Sequence, residues 1–192
     1  MTEQPDTASL LAELVDLLQL EYDALPVYSL AISALKRSDH RDALAAFRDD
    51  HQRHVDALTP LIRDLGGIPL PLPHLPTGLF KLAVQAAALP GGDRAILLAF
   101  KSNEWQSRAK YGRHAGRPHA PQVAELLSRH AADESRHYAW VCGALEEMRT
   151  GTDTLTGAAF DLFARIHGTN ADLVEAAGRA ALEATVRMTR AA

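Results

Sequence analysis

Residues 50–54 read Asp-His-Gln-Arg-His, and residues 133–137 read Asp-Glu-Ser-Arg-His, so one polar motif occurs twice in the chain. The two copies are 83 residues apart (133 − 50 = 83). The same offset relates two pairs of residues upstream of the motifs, Glu21 with Glu104 and Tyr28 with Tyr111. Because one offset relates all of these positions, the sequence indicates a duplicated helical hairpin with a pseudo-twofold axis.

Apolar residues make up 47% of the 192 positions and recur every three or four residues, with no extended strand-like alternation. This pattern predicts an all-α protein built around a four-helix bundle. The four long helices are predicted at residues 8–34, 41–65, 93–115 and 121–148, with caps from Asp6 or Thr7 and from Ser38 or Asp39. Five prolines between residues 68 and 92 predict a long crossover between helices two and three, with a short helix at residues 77–89.

Residues 1–150 are predicted to form the bundle, and residues 151–192 a C-terminal extension of one or two amphipathic helices. The extension is expected to pack on the bundle or on a partner subunit of a homo-oligomer. The net charge of −4, without a basic stripe, argues against nucleic-acid binding, and no apolar run approaches the ~20 residues of a membrane span. A cytoplasmic protein is expected, and the lone Cys142 excludes an internal disulfide.

Acidic and histidine side chains occupy helix-seam positions where leucine is otherwise expected. They are Glu21, His51, His54, Glu104, Glu134 and His137. Burying several carboxylates together without cations is costly, and two divalent metal ions balance the three negative charges. The mixture of oxygen and imidazole ligands suits iron or manganese, and it also accommodates zinc.

At these residues the chain resembles the ferritin-like superfamily, whose pattern is Glu on helix one, Glu-x-x-His on helix two, and the same again on helices three and four. The likeness covers residues 8–149. The strings LEYDALPVY (20–28), DHQRHV (50–55) and DESRH (133–137) are most similar to a poorly characterised group of small bacterial ferritin-like proteins. The resemblance implies two bound iron ions that react with oxygen or peroxide, in ferroxidase or peroxide-scavenging chemistry.

One position departs from the family pattern, because His51 stands where the family has a glutamate that usually bridges the two metals. With only Glu134 left as a bridge, the site is expected to be asymmetric, to bind one metal tightly and another weakly, or to prefer another metal. The alternative from a different class is a non-catalytic metal-binding or metal-free stress or scaffold protein. In its metal-free form, Arg53 and Arg136 neutralise the glutamates, unless these arginines, which lie beside the seam, are surface residues.

Further polar residues lie close to the predicted ligands. Asp50 and Asp133 either orient the ligand histidines or are solvated, while Tyr28 and Tyr111 either hydrogen-bond to ligands or fill the core. His130 lies on the seam of Glu134 and is predicted to support or pack beside the ligands, with a ligand role left open. The remaining histidines are predicted at the surface: His40, His74, His114, His119 and His167.

Overall fold

In a computed structural model of the protein, residues 6–149 and 155–191 are described, and no β-strand occurs among them. Six α-helices follow one another in this part of the chain: α1 (Thr7–Ala34), α2 (Ser38–Asp64), α3 (Thr77–Ala88), α4 (Gly92–Ala115), α5 (Pro121–Glu147) and α6 (Leu155–Ala191). A 3₁₀ turn, Leu89–Gly91, joins α3 to α4. The all-α prediction is confirmed.

The start of α2 differs from the prediction. The helix begins at Ser38, three residues early, and its N-cap position is held by Arg37, which makes no capping bond through its side chain. The carboxylate of Asp93, at the start of α4, instead accepts hydrogen bonds from the N–H groups of Lys36 at 2.8 Å and Arg37 at 3.0 Å. The turn between α1 and α2 is therefore fixed by a contact with the start of α4, and not by the local helix cap that was expected there.

The long helices pair as two hairpins. α1 packs along α2 and α4 packs along α5, and the hairpins meet through α1 with α4 and, less extensively, through α2 with α5. α3 and α6 pack on α1 and α4, on the side away from α2 and α5. α1 and α4 are consequently covered on two faces, which explains why both bury polar residues outside their predicted seams.

Buried apolar side chains form two clusters, one towards each end of the hairpins. Leu18 on α1 and Leu58 on α2 belong to the first cluster, and Leu44 on α2 and Val141 on α5 belong to the second. Burying one such side chain contributes about 1.5–3 kcal/mol. The polar seam residues lie between these clusters, in the middle of the hairpins, where the apolar packing on both sides offsets their cost.

The crossover and the C-terminal region complete the fold. The short crossover helix occurs as predicted, at Thr77–Ala88, and Asp6 caps α1 by accepting the N–H of Ser9 at 2.8 Å. α6 is one continuous helix, not two, and it contacts α1, α3 and α4 of its own chain. None of the described helices combines the length and hydrophobicity that crossing a membrane requires.

Candidate metal centre

The structure brings the six predicted ligands together between the two hairpins, in two overlapping groups. The first group is Glu21, His51, His54 and Glu134, and the second is His51, Glu104, Glu134 and His137. Within each group, one candidate ligand atom per residue lies within 4.8 Å of all the others. All six residues are at most 2% exposed. His51 and Glu134 belong to both groups, so they occupy the middle of the centre.

Most of the candidate ligand atoms lack a hydrogen-bond partner. Both carboxylate oxygens of Glu134, Oε2 of Glu104, Nδ1 of His54 and of His137, and Nε2 of His51 make no hydrogen bond to any described residue. Each unsatisfied buried polar atom costs about 1–3 kcal/mol. Coordination to metal ions supplies partners for atoms of these types, so the residues present fit a metal centre.

Aspartates hold two of the histidines in position, and each acts across the hairpins. Nε2 of His54 lies 3.2 Å from Oδ2 of Asp133, and Nε2 of His137 lies 2.8 Å from Oδ2 of Asp50. A proton on Nε2 that is donated to the aspartate leaves the Nδ1 lone pair facing the centre. The orienting role considered for the aspartates is observed, but each aspartate serves the histidine of the opposite hairpin and not its own helix.

The two tyrosines make crossed contacts of the same kind. The hydroxyl of Tyr28 donates to Oε1 of Glu104 at 2.9 Å, and the hydroxyl of Tyr111 donates to Glu21. Burial raises the pKa of both phenols well above the usual value, and the charges of Glu134 and of the bonded glutamates raise it further. Both phenols are therefore hydrogen-bond donors. Oε2 of Glu104 keeps no partner among the described residues, whereas Oε2 of Glu21 lies 2.6 Å from Nδ1 of His51.

Aromatic rings cover the outer faces of the same histidines. Phe47 lies on His137 with ring centroids 4.3 Å apart, and His130 stacks on His54 at 3.8 Å. Phe47 and His130 are themselves related by the 83-residue offset (130 − 47 = 83). Burial lowers the pKa of His130 to about 3, with the charge of His54 acting in the same direction, so its ring is neutral. His130 belongs to neither ligand group and packs beside the centre, as predicted.

The centre departs from twofold symmetry at one position, because the offset maps His51 onto Glu134. Nδ1 of His51 lies 2.6 Å from Oε2 of Glu21 and 3.6 Å from Oε1 of Glu134. A neutral imidazole offers one lone pair and binds one ion, whereas a carboxylate can bridge two. The asymmetry expected from the sequence therefore has a geometric counterpart.

Burial raises the pKa of two of the three carboxylates at the centre. It raises the pKa of Glu134 well above the usual value, reinforced by the charges of Glu21 and Glu104, and it raises the pKa of Glu104 to about 7. Burial also acts to raise the pKa of Glu21, but the charges of His54 and His51 outweigh it and lower this pKa far below its usual value. Without metal, the centre therefore holds protons on Glu134 and, below neutral pH, on Glu104.

The arginines beside the motifs do not neutralise the glutamates. Arg136 donates to Asp133 at 2.6 Å and to Asp50 at 2.5 Å, and Arg53 donates to Asp50. Among residues 6–149 and 155–191, the three glutamates form no ion pair with a lysine or an arginine. The alternative in which Arg53 and Arg136 neutralise the glutamates therefore gains no support from the described residues. The other placement considered, at the surface beside the seam, agrees with their exposed guanidinium groups, which contact aspartates.

The surface placement predicted for the other histidines is wrong for His40, His74 and His114. His40, His74 and His114 are buried and His119 is partly buried, while the side chain of His167 lies outside the described part. His40 packs edge-on against Trp140 and His114 contacts Glu13. Helix ends and loops are usually exposed, but His74 in the crossover lies against α6, with Nδ1 3.7 Å from Oε1 of Glu175.

His74 belongs to a second buried polar cluster that the sequence analysis missed. Its Nδ1 lies 2.9 Å from Oδ2 of Asp23, and its Nε2 lies 3.0 Å from Oδ1 of Asp16. Asp16 and Asp23 are seven residues apart and share a face of α1 that differs from the face of Glu21. This second pair of acidic residues on one face of α1 is the sequence feature from which the second cluster could have been predicted.

Two lysines neutralise this second cluster. Lys81 donates to Asp23 at 2.6 Å and to Glu175 at 3.1 Å, and Lys110 donates to Asp16 at 2.9 Å and to Glu175 at 2.6 Å. Asp16, His74 and Glu175 are close enough together to hold a metal ion. Their oxygens and ring nitrogens are already bonded to one another and to ammonium groups, so this cluster is an ion-pair network.

Comparison of the chain with protein-family models, with curated proteins and with solved structures gives no match. The interpretation of the centre therefore rests on the residues and their geometry.

Proposed function

We propose that the chain is a metalloprotein whose two helical hairpins hold a dinuclear centre. In particular, we propose a ferritin-like four-helix bundle formed by α1, α2, α4 and α5, with the crossover between the second and third bundle helices, that binds iron. The observation that carries the proposal is the convergence of unpartnered, buried ligand atoms in two overlapping groups. Glu-x-x-His motifs and inward glutamates build di-iron centres in bundles of this type.

The two groups assign the ligands. Glu21 and His54 would hold one ion, Glu104 and His137 would hold the other, and Glu134 lies between these two pairs of residues. His51 would add its nitrogen to one ion only, so the two positions would differ in ligand number. Manganese, zinc or a single ion are the alternatives, and a measurement of metal content separates them.

The chemistry proposed is oxidation of ferrous iron by a small oxidant. Two ferrous ions held there would each give up one electron and become ferric, and with two protons from solvent these electrons would reduce oxygen to hydrogen peroxide, or hydrogen peroxide to two water molecules. The chain contributes the geometry: Asp50 and Asp133 aim the histidines, and Tyr28 and Tyr111 fix one oxygen of each terminal glutamate. The apolar clusters on both sides exclude bulk water, which limits side reactions.

A second candidate is a helical scaffold without turnover that assembles through α6. Several large apolar side chains of α6 are exposed: Leu162, Ile166, Leu173, Val174 and Met188. Exposed apolar patches mark interaction surfaces, and a homo-oligomer formed through this helix is compatible with either function. Light scattering on the metal-free and metal-loaded protein tests whether assembly occurs and whether it depends on metal.

Metal content per chain, before and after anaerobic loading with ferrous iron, tests the proposal. We expect about two ions per chain in the loaded wild type, and oxygen consumption with a ferric absorbance when air is admitted. Glu134→Gln removes the shared carboxylate and should lose metal. The matched control is Glu125→Gln, on the same helix, where Glu125 is exposed and pairs only with Arg129 in the described structure.

Two results contradict the proposal. If the wild-type protein takes up no metal, the scaffold function is favoured. If the Glu134→Gln protein keeps the wild-type metal content, the proposed metal centre is wrong. If the protein takes up metal but consumes no oxygen, it binds metal without oxidising it, and only the proposed oxidation chemistry is wrong.

A further inference from the structure

We propose that divalent metal ions reach the centre between α2 and α5, past Asp133, and that Arg136 is the clamp that closes this route. The inference rests on the proposed function, because it concerns the route to the same centre. It assigns roles to two residues that are not ligands.

The packing of the helices leaves one side of the centre thinly covered. α3 and α6 cover α1 and α4, whereas α2 and α5 carry neither of them and contact each other less extensively than α1 contacts α4. Of the residues that hold the ligand histidines, Asp50 has a side chain 7% exposed and Asp133 a side chain 23% exposed. Asp133 is therefore the more exposed of the two carboxylates that contact a candidate ligand histidine, and it offers ions a step from solvent towards the centre.

A buried, unpartnered nitrogen lies directly behind Asp133. His54 is 2% exposed and contacts Asp133 through Nε2, while its Nδ1 faces Glu134 at 3.5 Å and makes no hydrogen bond within the described structure. An ion attracted to the Asp133 carboxylate is thus one side chain away from the first ligand group. A surface carboxylate raises the local concentration of cations beside it, which increases the rate at which they reach the group behind it.

Arg136 holds this rim closed. Its guanidinium group forks between Asp133 and Asp50, and so ties the two aspartates together, although its side chain is 53% exposed. Arg53, its equivalent in the first hairpin, contacts Asp50 but does not contact Asp133 among the described residues. Exposed side chains change rotamer within nanoseconds, so Arg136 can release Asp133 readily. While it is bound, its positive charge repels cations and occupies the carboxylate that they would contact.

The association rate of Co²⁺ with the metal-free protein, followed by stopped-flow absorbance, tests the clamp. Arg136→Gln should raise the association rate roughly three- to tenfold, because it frees Asp133 and removes a like charge from the route. The control is Arg129→Gln, two turns earlier on α5, where a 68% exposed arginine pairs with Glu125 only weakly, at 4.0 Å. This control removes the same charge from the same helix and should change the rate less than about twofold.

A pair of aspartate variants separates the route from general loosening of the site. Asp133→Asn should slow association roughly threefold or more and weaken its salt dependence, because the attracting charge is lost. Asp50→Asn should act mainly on dissociation, measured by chelator competition, because Asp50 is buried and orients His137. If Asp133 had only a structural role, both variants would change the dissociation rate of Co²⁺, and neither would change its association rate.

The outcomes distinguish the two proposals. If wild-type protein binds no Co²⁺ or ferrous iron, the metal centre itself is wrong and the route falls with it. If Co²⁺ binds, but the Arg136→Gln protein associates at the wild-type rate or more slowly, the clamp is wrong and the centre stands.

Discussion

Two buried polar clusters lie on different faces of α1, and each contains carboxylates and histidine. At the candidate metal centre, the glutamates contact histidines and tyrosines, and no lysine or arginine of the described residues pairs with them. At the second cluster, Asp16 and Glu175 face the ammonium groups of two lysines. Both clusters bring ligand-type atoms close enough for a metal ion. Proximity alone therefore does not distinguish a metal site from an ion-pair network.

The distinguishing feature is how many polar atoms stay unsatisfied. In the second cluster the lysines and His74 bond the carboxylates, and within the described residues none of its side-chain atoms is a buried atom without a partner. In the centre, Glu134 has no hydrogen bond on either oxygen to the described part of the chain. A buried acid that lacks a cation must stay protonated or acquire a metal ion, whereas an acid paired with lysine needs neither.

Removing one lysine should give the largest effect on stability. Lys110→Met leaves Asp16 and Glu175 without one of their cations, which should lower the free energy of unfolding by about 3–5 kcal/mol. Chemical denaturation of the metal-free protein measures this change. Metal stoichiometry should remain that of the wild type, because Lys110 contacts no candidate ligand of the centre in the described structure.

The control for this prediction is Lys36→Met, an exposed lysine between α1 and α2. It should change the free energy of unfolding by less than about 0.5 kcal/mol. An equally small loss in Lys110→Met would mean that the second cluster does not depend on its lysines.

The two clusters should also respond to pH in opposite directions. Burial raises the folded-state pKa of Glu104 to about 7 from its usual value of 4.5. Its proton therefore stabilises the fold below pH 4.5, and this stability is lost as pH rises towards 7. For Glu175, burial acts to raise the pKa, but the charges of Lys81 and Lys110 lower it to about 2. Its contribution is therefore present above pH 4.5 and is lost as pH falls towards 2.

Denaturation of the metal-free protein at several pH values measures both contributions. Between pH 5 and 8, Glu104→Gln should reduce the decline in unfolding free energy by roughly 2 kcal/mol relative to wild type. Glu175→Gln should leave this decline intact and instead flatten the loss of stability below pH 4.5. Identical profiles for both variants would show that the clusters do not differ in protonation.

Much of this comparison follows from the sequence, because the ligand positions interrupt apolar seams with a single offset. The helices could be predicted from that pattern, and the six candidate ligand positions that it singled out come together in space. The offset did not reveal that Asp50 serves His137, since hydrogen bonds across hairpins depend on how the hairpins pack. The cluster at His74 was missed for a similar reason: its neighbours come from α3 and α6, which have no counterpart in the repeat.

The smallest predicted effect concerns the one asymmetric position of the centre. His51→Glu gives the first hairpin the carboxylate that Glu134 gives the second, so both groups gain an oxygen ligand that can bridge two ions. The second ion should bind about tenfold more tightly, or about 1.4 kcal/mol, in an anaerobic calorimetric titration. The metal-free variant should be less stable than wild type, because a fourth buried carboxylate then lacks a cation.

His130→Phe is the matched control, because it converts the ring over His54 into the equivalent of Phe47 over His137. This variant should keep the wild-type number of ions and similar affinities, since His130 belongs to neither ligand group. Loss of an ion in His130→Phe would make that histidine a ligand. Equal or weaker binding of the second ion in His51→Glu would contradict the prediction. It would mean that metal binding requires the imidazole of His51, and therefore that the two halves of the repeat must differ at this position.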